Sequence, residues 1–272
     1  MKHNTTVSIE WLSQHIDTPN LIILDASLKK NQAALNSGYS NIQIKGARFF
    51  DLKNTFSDQN SVFPNKMLSA DSFTLECHNL GINKDSKIIV YDNLGIYSSP
   101  RVWWMFRLMG HKNIAVLDGG LPAWVSAKYP TEPISKPSKA FKIGNFNANY
   151  QASWMVNKTQ VKTNIEQPKA VLIDARSKER FLGSIPEPRK NLSSGHIPKS
   201  VNLPFTKVLR NGFLKKEEEL VELVNFFKFE KKPLIFSCGS GITACIVFLA
   251  LENILDNPKT LYDGSWSEWG LL

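Results

Sequence analysis

Short uninterrupted apolar runs recur along the chain, each ending at a polar residue or a cysteine. Leu21-Ile22-Ile23-Leu24-Asp25-Ala26 and Val171-Leu172-Ile173-Asp174-Ala175-Arg176 are one pair. Ile88-Ile89-Val90-Tyr91-Asp92 and Leu234-Ile235-Phe236-Ser237-Cys238 are another. Runs of this length and continuity predict strands buried on both faces, as in parallel sheets covered by helices. A tight turn and then a helical pattern follow the second pair, over Pro100–Met109 and Thr243–Asn253. Leu117-Asp118 and Leu261-Tyr262-Asp263 read as further short strands, each closed by a glycine turn. Alternation of strand and helix predicts an α/β fold with parallel sheets flanked by helices. In such sheets ligands bind at the carboxyl ends of the strands, which is where Asp92 and Cys238 fall.

The chain shows this pattern twice. Asp25 matches Asp174 at an offset of 149 residues, Asp92 matches Cys238 at 146, and Asp118-Gly119-Gly120 matches Asp263-Gly264-Ser265 at 145. Trp124 and Trp269 continue the last match. Three landmarks in one order at a near-constant offset predict two copies of one domain, 1–128 and 150–272. Pro130, Pro133 and Pro137, set among Lys, Ser and Asn, make 129–149 a poor helix and a poor central strand. That stretch is expected to be an extended linker.

Composition narrows the setting. The 272 residues carry 33 Lys+Arg against 24 Asp+Glu, a formal charge of +9. The basic residues are dispersed, with no run of five or more, which favours small anionic ligands over nucleic acid. No apolar run approaches the roughly 20 residues that cross a bilayer, so no membrane partner is expected. Met1-Lys2-His3-Asn4-Thr5 has no apolar core of a secretory leader, and a cytoplasmic location is expected. Cys77, Cys238 and Cys245 are too few for a disulfide framework and lack metal-ligand spacing.

Of the three, Cys238 stands out. It ends a buried strand and begins Cys238-Gly239-Ser240-Gly241-Ile242-Thr243-Ala244, a glycine-rich loop that leads into a helix. Backbone N–H groups in such a loop can turn inward as an anion-binding nest, aided by the helix N-terminus. A thiol at its centre would react as thiolate. Cys245, among Ala244, Ile246 and Val247, and Cys77 read as packing residues.

This loop resembles the active-site loop of the 3-mercaptopyruvate sulfurtransferases, two-domain members of the rhodanese superfamily. Tyr97-Ser98-Ser99-Pro100-Arg101-Val102-Trp103-Trp104-Met105-Phe106 is similar to the helix of that family's inactive first domain. Leu117-Asp118-Gly119-Gly120, Tyr262-Asp263-Gly264-Ser265-Trp266 and Gly195-His196-Ile197-Pro198 also match its motifs. The resemblance implies two tandem rhodanese-like domains, the first inactive because Asp92 holds the nucleophile position. It implies Cys238 as the nucleophile, with substrate-binding amides from Gly239, Gly241, Ile242 and Thr243. Thiosulfate-specific relatives place Arg and Lys directly after the cysteine, so the neutral Gly239-Ser240 pair points to the mercaptopyruvate branch.

Arg180 to Arg189, with Pro186 and Pro188 stiffening the loop, resembles the family segment whose two arginines grip the substrate. Guanidinium forks suit a 2-oxo acid, with its carboxylate and neighbouring carbonyl. His196 reads as structural, and Trp266 and Trp269 as packing. Many family members pair a loop serine with a first-domain His and Asp as a proton relay. Ser240 is present, but the aligned positions hold Lys53 and Lys66, and Lys66 is a candidate to hold the substrate anion.

The implied activity is sulfur transfer from 3-mercaptopyruvate through a Cys238 persulfide to a thiol, reduced thioredoxin or cyanide, releasing pyruvate. No metal or organic cofactor is implied. Thiosulfate sulfurtransfer is the nearest alternative. A cysteine phosphatase is disfavoured, since such loops close with an arginine six residues after the cysteine and position 244 is Ala. A non-catalytic binding module is the remaining alternative.

Overall fold

A computed structural model of the chain describes residues 5–31, 33–134, 140–227, 229 and 231–272. Met1 to Asn4, which bear on the expected location, and Pro137 of the expected linker lie outside them. Two compact units are formed. The first comprises Met1–Gln59, Met67–Gln151 and Asn211–Phe213, and the second Asn60–Lys66, Ala152–Arg210 and Leu214–Leu272.

Each unit is built on a five-stranded sheet in which every strand pair is parallel. In the first, the order is Thr6–Val7, Ile114–Leu117, Lys87–Tyr91, Leu21–Asp25, Arg48–Phe49. In the second it is Met155–Val156, Lys259–Tyr262, Leu234–Ser237, Val171–Asp174, Val201–Asn202. The two orders correspond strand for strand. The central strands, Lys87–Tyr91 and Leu234–Ser237, are mostly apolar and are buried after their first residue or throughout.

The helix after each central strand is buried along nearly its whole length. In Ser99–Leu108 every residue except Arg107 is buried, and in Ala244–Glu252 every residue through Leu251 is buried. The stretch 244–251 is apolar all round and belongs in a core, whereas Ser99–Leu108 also buries Arg101, whose guanidinium stacks over Trp104. Peripheral helices are started by local side-chain bonds. Asn157 and Gln160 form a reciprocal capping box on Lys158–Glu166, and Ser8, Ser69 and Ser177 cap three others.

The stretch expected as a linker, 129–149, packs on the first unit over its described residues. Thr131–Pro133 pairs antiparallel with Ile42–Ile44. Phe146 is buried against the edges of Phe73, Phe106 and His111. Its proline-rich composition masks this one apolar anchor, which is worth more than its neighbours' polarity suggests. Phe146→Ala is therefore expected to cost the first unit about 3–5 kcal/mol, read from its urea midpoint. A loss below about 1 kcal/mol would show that the segment is not part of that core.

Candidate active site

The strand Leu234–Ser237 delivers Cys238 to the carboxyl end of the sheet, where its residue is 2 % exposed. A second turn straps the loop that follows. The Cys238 N–H donates to Ser265 Oγ at 3.2 Å, and the Ser265 hydroxyl donates to the Tyr262 carbonyl at 2.9 Å. The Cys238 and Gly239 carbonyls accept from the N–H groups of Trp266 and Ser267, both at 2.9 Å. Ser265 holds φ +48°, an uncommon backbone conformation for a residue with a side chain. Gly241 at φ +76° reverses the loop, and Thr243 stands at the N-terminal boundary of the helix Ala244–Glu252 without a side-chain capping bond. Among the described residues, the N–H groups of Ser240, Ile242 and Thr243 have no backbone acceptor. Loop N–H groups of this kind can donate to an anion.

The first unit shows what such a loop holds. Asp92 ends its central strand as Cys238 ends the other, and Gly95-Ile96 repeats Gly241-Ile242 with Gly95 also at positive φ. The Asp92 carbonyl accepts from the Leu121 N–H, as the Cys238 carbonyl does from Trp266. Asp92 Oδ2 then accepts from the N–H groups of Tyr97, Ser98 and Ser99 at 2.8 to 2.9 Å, and from the Ser99 hydroxyl at 2.7 Å. Oδ1 accepts from the Leu94 N–H. This copy fills its cradle with its own carboxylate. The second copy puts the Cys238 thiol at the same point of the loop.

Arg180 and Arg189 both reach the Cys238 loop. A Cβ placed on Gly239 would lie 3.1 Å from Arg180 Nη2 and 3.7 Å from Arg189 Nη1. A side chain at 239 would crowd the Arg180 guanidinium, while Arg189 would be at ordinary contact distance. Arg180 sits at the end of the short helix Lys178–Leu182 and is aimed by Glu187. Glu187 Oε1 and Oε2 accept from Arg180 Nε and Nη2 at 3.0 and 2.6 Å. Glu187 also takes Arg176 Nη1 at 2.9 Å, and Arg176 is anchored by Asp174 and the Gly195 carbonyl. The Glu187 and Arg176 side chains are 1 % and 0 % exposed, so this chain of charges has little competition from water. Pro186 and Pro188 hold Glu187 between them.

Ser240 Oγ accepts from Arg189 Nη2 at 3.0 Å and from Asn65 Nδ2 at 2.9 Å. Asn65 belongs to the segment Asn60–Lys66, which packs in the second unit. Lys66, expected as a candidate anion holder, lies 3.7 Å from Asp263 with its own side chain partly exposed. The side chain that meets Ser240 is its neighbour, Asn65. The Lys53 N–H donates to Asp51 Oδ1 within the first unit.

His196 behaves as a structural residue. Its Nδ1 bonds the Phe181 carbonyl at 2.8 Å and its ring stacks on Phe181. Trp266 is buried beneath the Arg176 guanidinium, with its Nε1–H on the Ser193 carbonyl, and Trp269 packs against the same core. Cys245 is buried in its helix with Sγ on the Gly241 carbonyl. Cys77 is buried too, and loss of solvent raises its thiol well above the ordinary range.

Repeated parallel sheets, each with an anion cradle after the central strand, define a tandem α/β protein built from one duplicated unit. That unit is the rhodanese-like domain. The family model matches residues 8–127 and again 157–271, and the chain belongs to this family. It is 38 % identical to the 3-mercaptopyruvate sulfurtransferase of Escherichia coli (strain K12), covering 97 % of this chain and 94 % of that protein. It is 37 % identical to the thiosulfate sulfurtransferase of Mus musculus, over 98 % and 92 %. The crystal structure of SseA, an Escherichia coli 3-mercaptopyruvate sulfotransferase, superposes with a TM-score of 0.82 at 36 % identity, covering 97 % and 99 %.

Proposed function

We propose that the protein is a sulfurtransferase that takes sulfur from 3-mercaptopyruvate and passes it to a thiol. The convergence of Arg180 and Arg189 on the Cys238 loop carries this reading, because it sets two guanidinium forks beside a nucleophile. The relatives' activities support the same chemistry. In the proposed reaction the Cys238 thiolate attacks the substrate sulfur. The S–S bond forms as the C–S bond breaks, and that electron pair leaves on carbon as the pyruvate enolate. The thiol proton of the substrate balances the step by ending on the methyl carbon of pyruvate. Arg180 and Arg189 fix the carboxylate and the neighbouring oxygen, and the loop amides receive the persulfide anion. An acceptor thiol, such as that of reduced thioredoxin, or cyanide then removes the outer sulfur and restores Cys238.

Asp92 cannot take part in this chemistry, so the first copy is inactive in sulfur transfer. Three buried free cysteines suit a reducing compartment such as the cytoplasm. The donor assignment is tested by steady-state transfer to cyanide with 3-mercaptopyruvate and thiosulfate side by side. We expect kcat/KM for 3-mercaptopyruvate to exceed that for thiosulfate by at least about tenfold. A preference for thiosulfate would keep Cys238 and overturn the inference drawn from the neutral Gly239-Ser240 pair.

A further inference from the structure

We infer that Asn65 is a positioning residue that turns the Ser240 hydroxyl into a fixed hydrogen-bond donor facing the reacting substrate. The inference rests on the sulfur-transfer reading of the Cys238 loop. A serine hydroxyl has two acceptor lone pairs and one proton. Both lone pairs of Ser240 are taken, by Asn65 Nδ2 at 2.9 Å and Arg189 Nη2 at 3.0 Å. Its proton is left with the one remaining direction.

The Asn65 amide cannot be the other way round. Its nitrogen also donates to the Ser240 carbonyl at 3.1 Å, and an amide oxygen there would face an oxygen. Two bonds to one residue hold the amide against rotation. Asn65 and Ser240 are 5 % and 6 % exposed, so water competes weakly for either bond. Asn65 sits at φ +60°, a left-handed conformation that asparagine tolerates better than most residues.

Three consequences follow for the reaction. A hydroxyl oxygen that accepts from a guanidinium and an amide has a more polarised O–H, and donates more strongly. Its natural target is the enolate oxygen, where negative charge develops as the C–S bond breaks. An amide does not titrate, so the serine keeps its orientation at every working pH, which an imidazole in the same place would not do.

Asn65→Asp tests this, because it keeps the size of the side chain and replaces the donor with an acceptor. The ionised carboxylate would draw the Ser240 proton toward itself and away from the substrate. For transfer from 3-mercaptopyruvate we expect kcat to fall about 10- to 100-fold while KM changes by less than about threefold. The mutant-to-wild-type ratio of kcat should rise as pH falls through the titration of the new carboxyl, since the protonated acid again donates. Ser240→Ala should give a similar loss of kcat. The double variant should be no worse than Ser240→Ala, which also guards against a folding defect at position 65. A pH-independent ratio, a loss confined to KM, or additive losses would each overturn the inference while the sulfur-transfer reading stands. If the wild-type protein moves no sulfur from 3-mercaptopyruvate, the reading fails and takes the inference with it.

Discussion

Cys238→Ser is expected to lose sulfur transfer by at least about 10⁴-fold in kcat, the scale seen when a covalent nucleophile is removed. The exchange changes one atom at a site that is 2 % exposed, so the fold should be retained. The Cys238 N–H to Ser265 bond and the two carbonyl bonds from Trp266 and Ser267 involve only the backbone of 238 and 239. A serine hydroxyl in the same cradle is a poor nucleophile toward sulfur, since it stays protonated where a thiol ionises. Cys245 cannot substitute. It lies within the buried helix, with its sulfur turned to the Gly241 carbonyl. The check is initial-rate assay with each donor, alongside thermal denaturation of both proteins. Retention of more than about 1 % of wild-type kcat at unchanged stability would remove Cys238 from the centre of the mechanism.

Arg180→Ala should lower kcat/KM for 3-mercaptopyruvate by about 10²- to 10³-fold, the loss expected for two charge-assisted hydrogen bonds. Two features support so large a value. Glu187 grips Nε and one edge of Nη2, which aims the rest of the guanidinium at the loop beside Gly239. Truncation also leaves the buried Glu187 with Arg176 as its remaining cation, which disturbs the segment that carries Arg189. Arg180→Lys should recover only part of the loss, because an ammonium group supplies charge without the planar fork. Steady-state kinetics of the three proteins checks the expectation. A loss under about threefold for Arg180→Ala would mean that the carboxylate binds elsewhere.

Much of this arrangement is legible in the sequence, for a reason that depends on the elements concerned. Leu234–Ser237 and Lys87–Tyr91 are long apolar runs whose ends can be read to within a residue, so the position of Cys238 follows. The near-constant offset between copies carries that assignment across the chain. Edge strands such as Arg48–Phe49 and Val201–Asn202 are two residues long and offer no periodicity to read. They exist because a neighbouring strand pairs with them. Glu187 carries no signal of its own between two prolines, and its role appears only when Arg176 and Arg180 are seen on either side of it.

Asn65 shows the limit most clearly. It lies 175 residues from Ser240 in sequence. Alignment against the relay pattern directs attention to Lys53 and Lys66, one residue from the side chain that makes the contact. A one-residue shift in a loop turns a different group inward, and only packing decides which. Phe146 is the corresponding case for stability, a single apolar residue in a polar, proline-rich stretch.

The central claim is that Cys238 carries the transferred sulfur. It is tested most directly by mixing the protein with 3-mercaptopyruvate without an acceptor and measuring the mass of each cysteine-containing peptide. The account predicts one added sulfur on the Cys238 peptide, removed by cyanide or a dithiol, with Cys77 and Cys245 unchanged. Unmodified Cys238, or sulfur on Cys245 in its place, would contradict it.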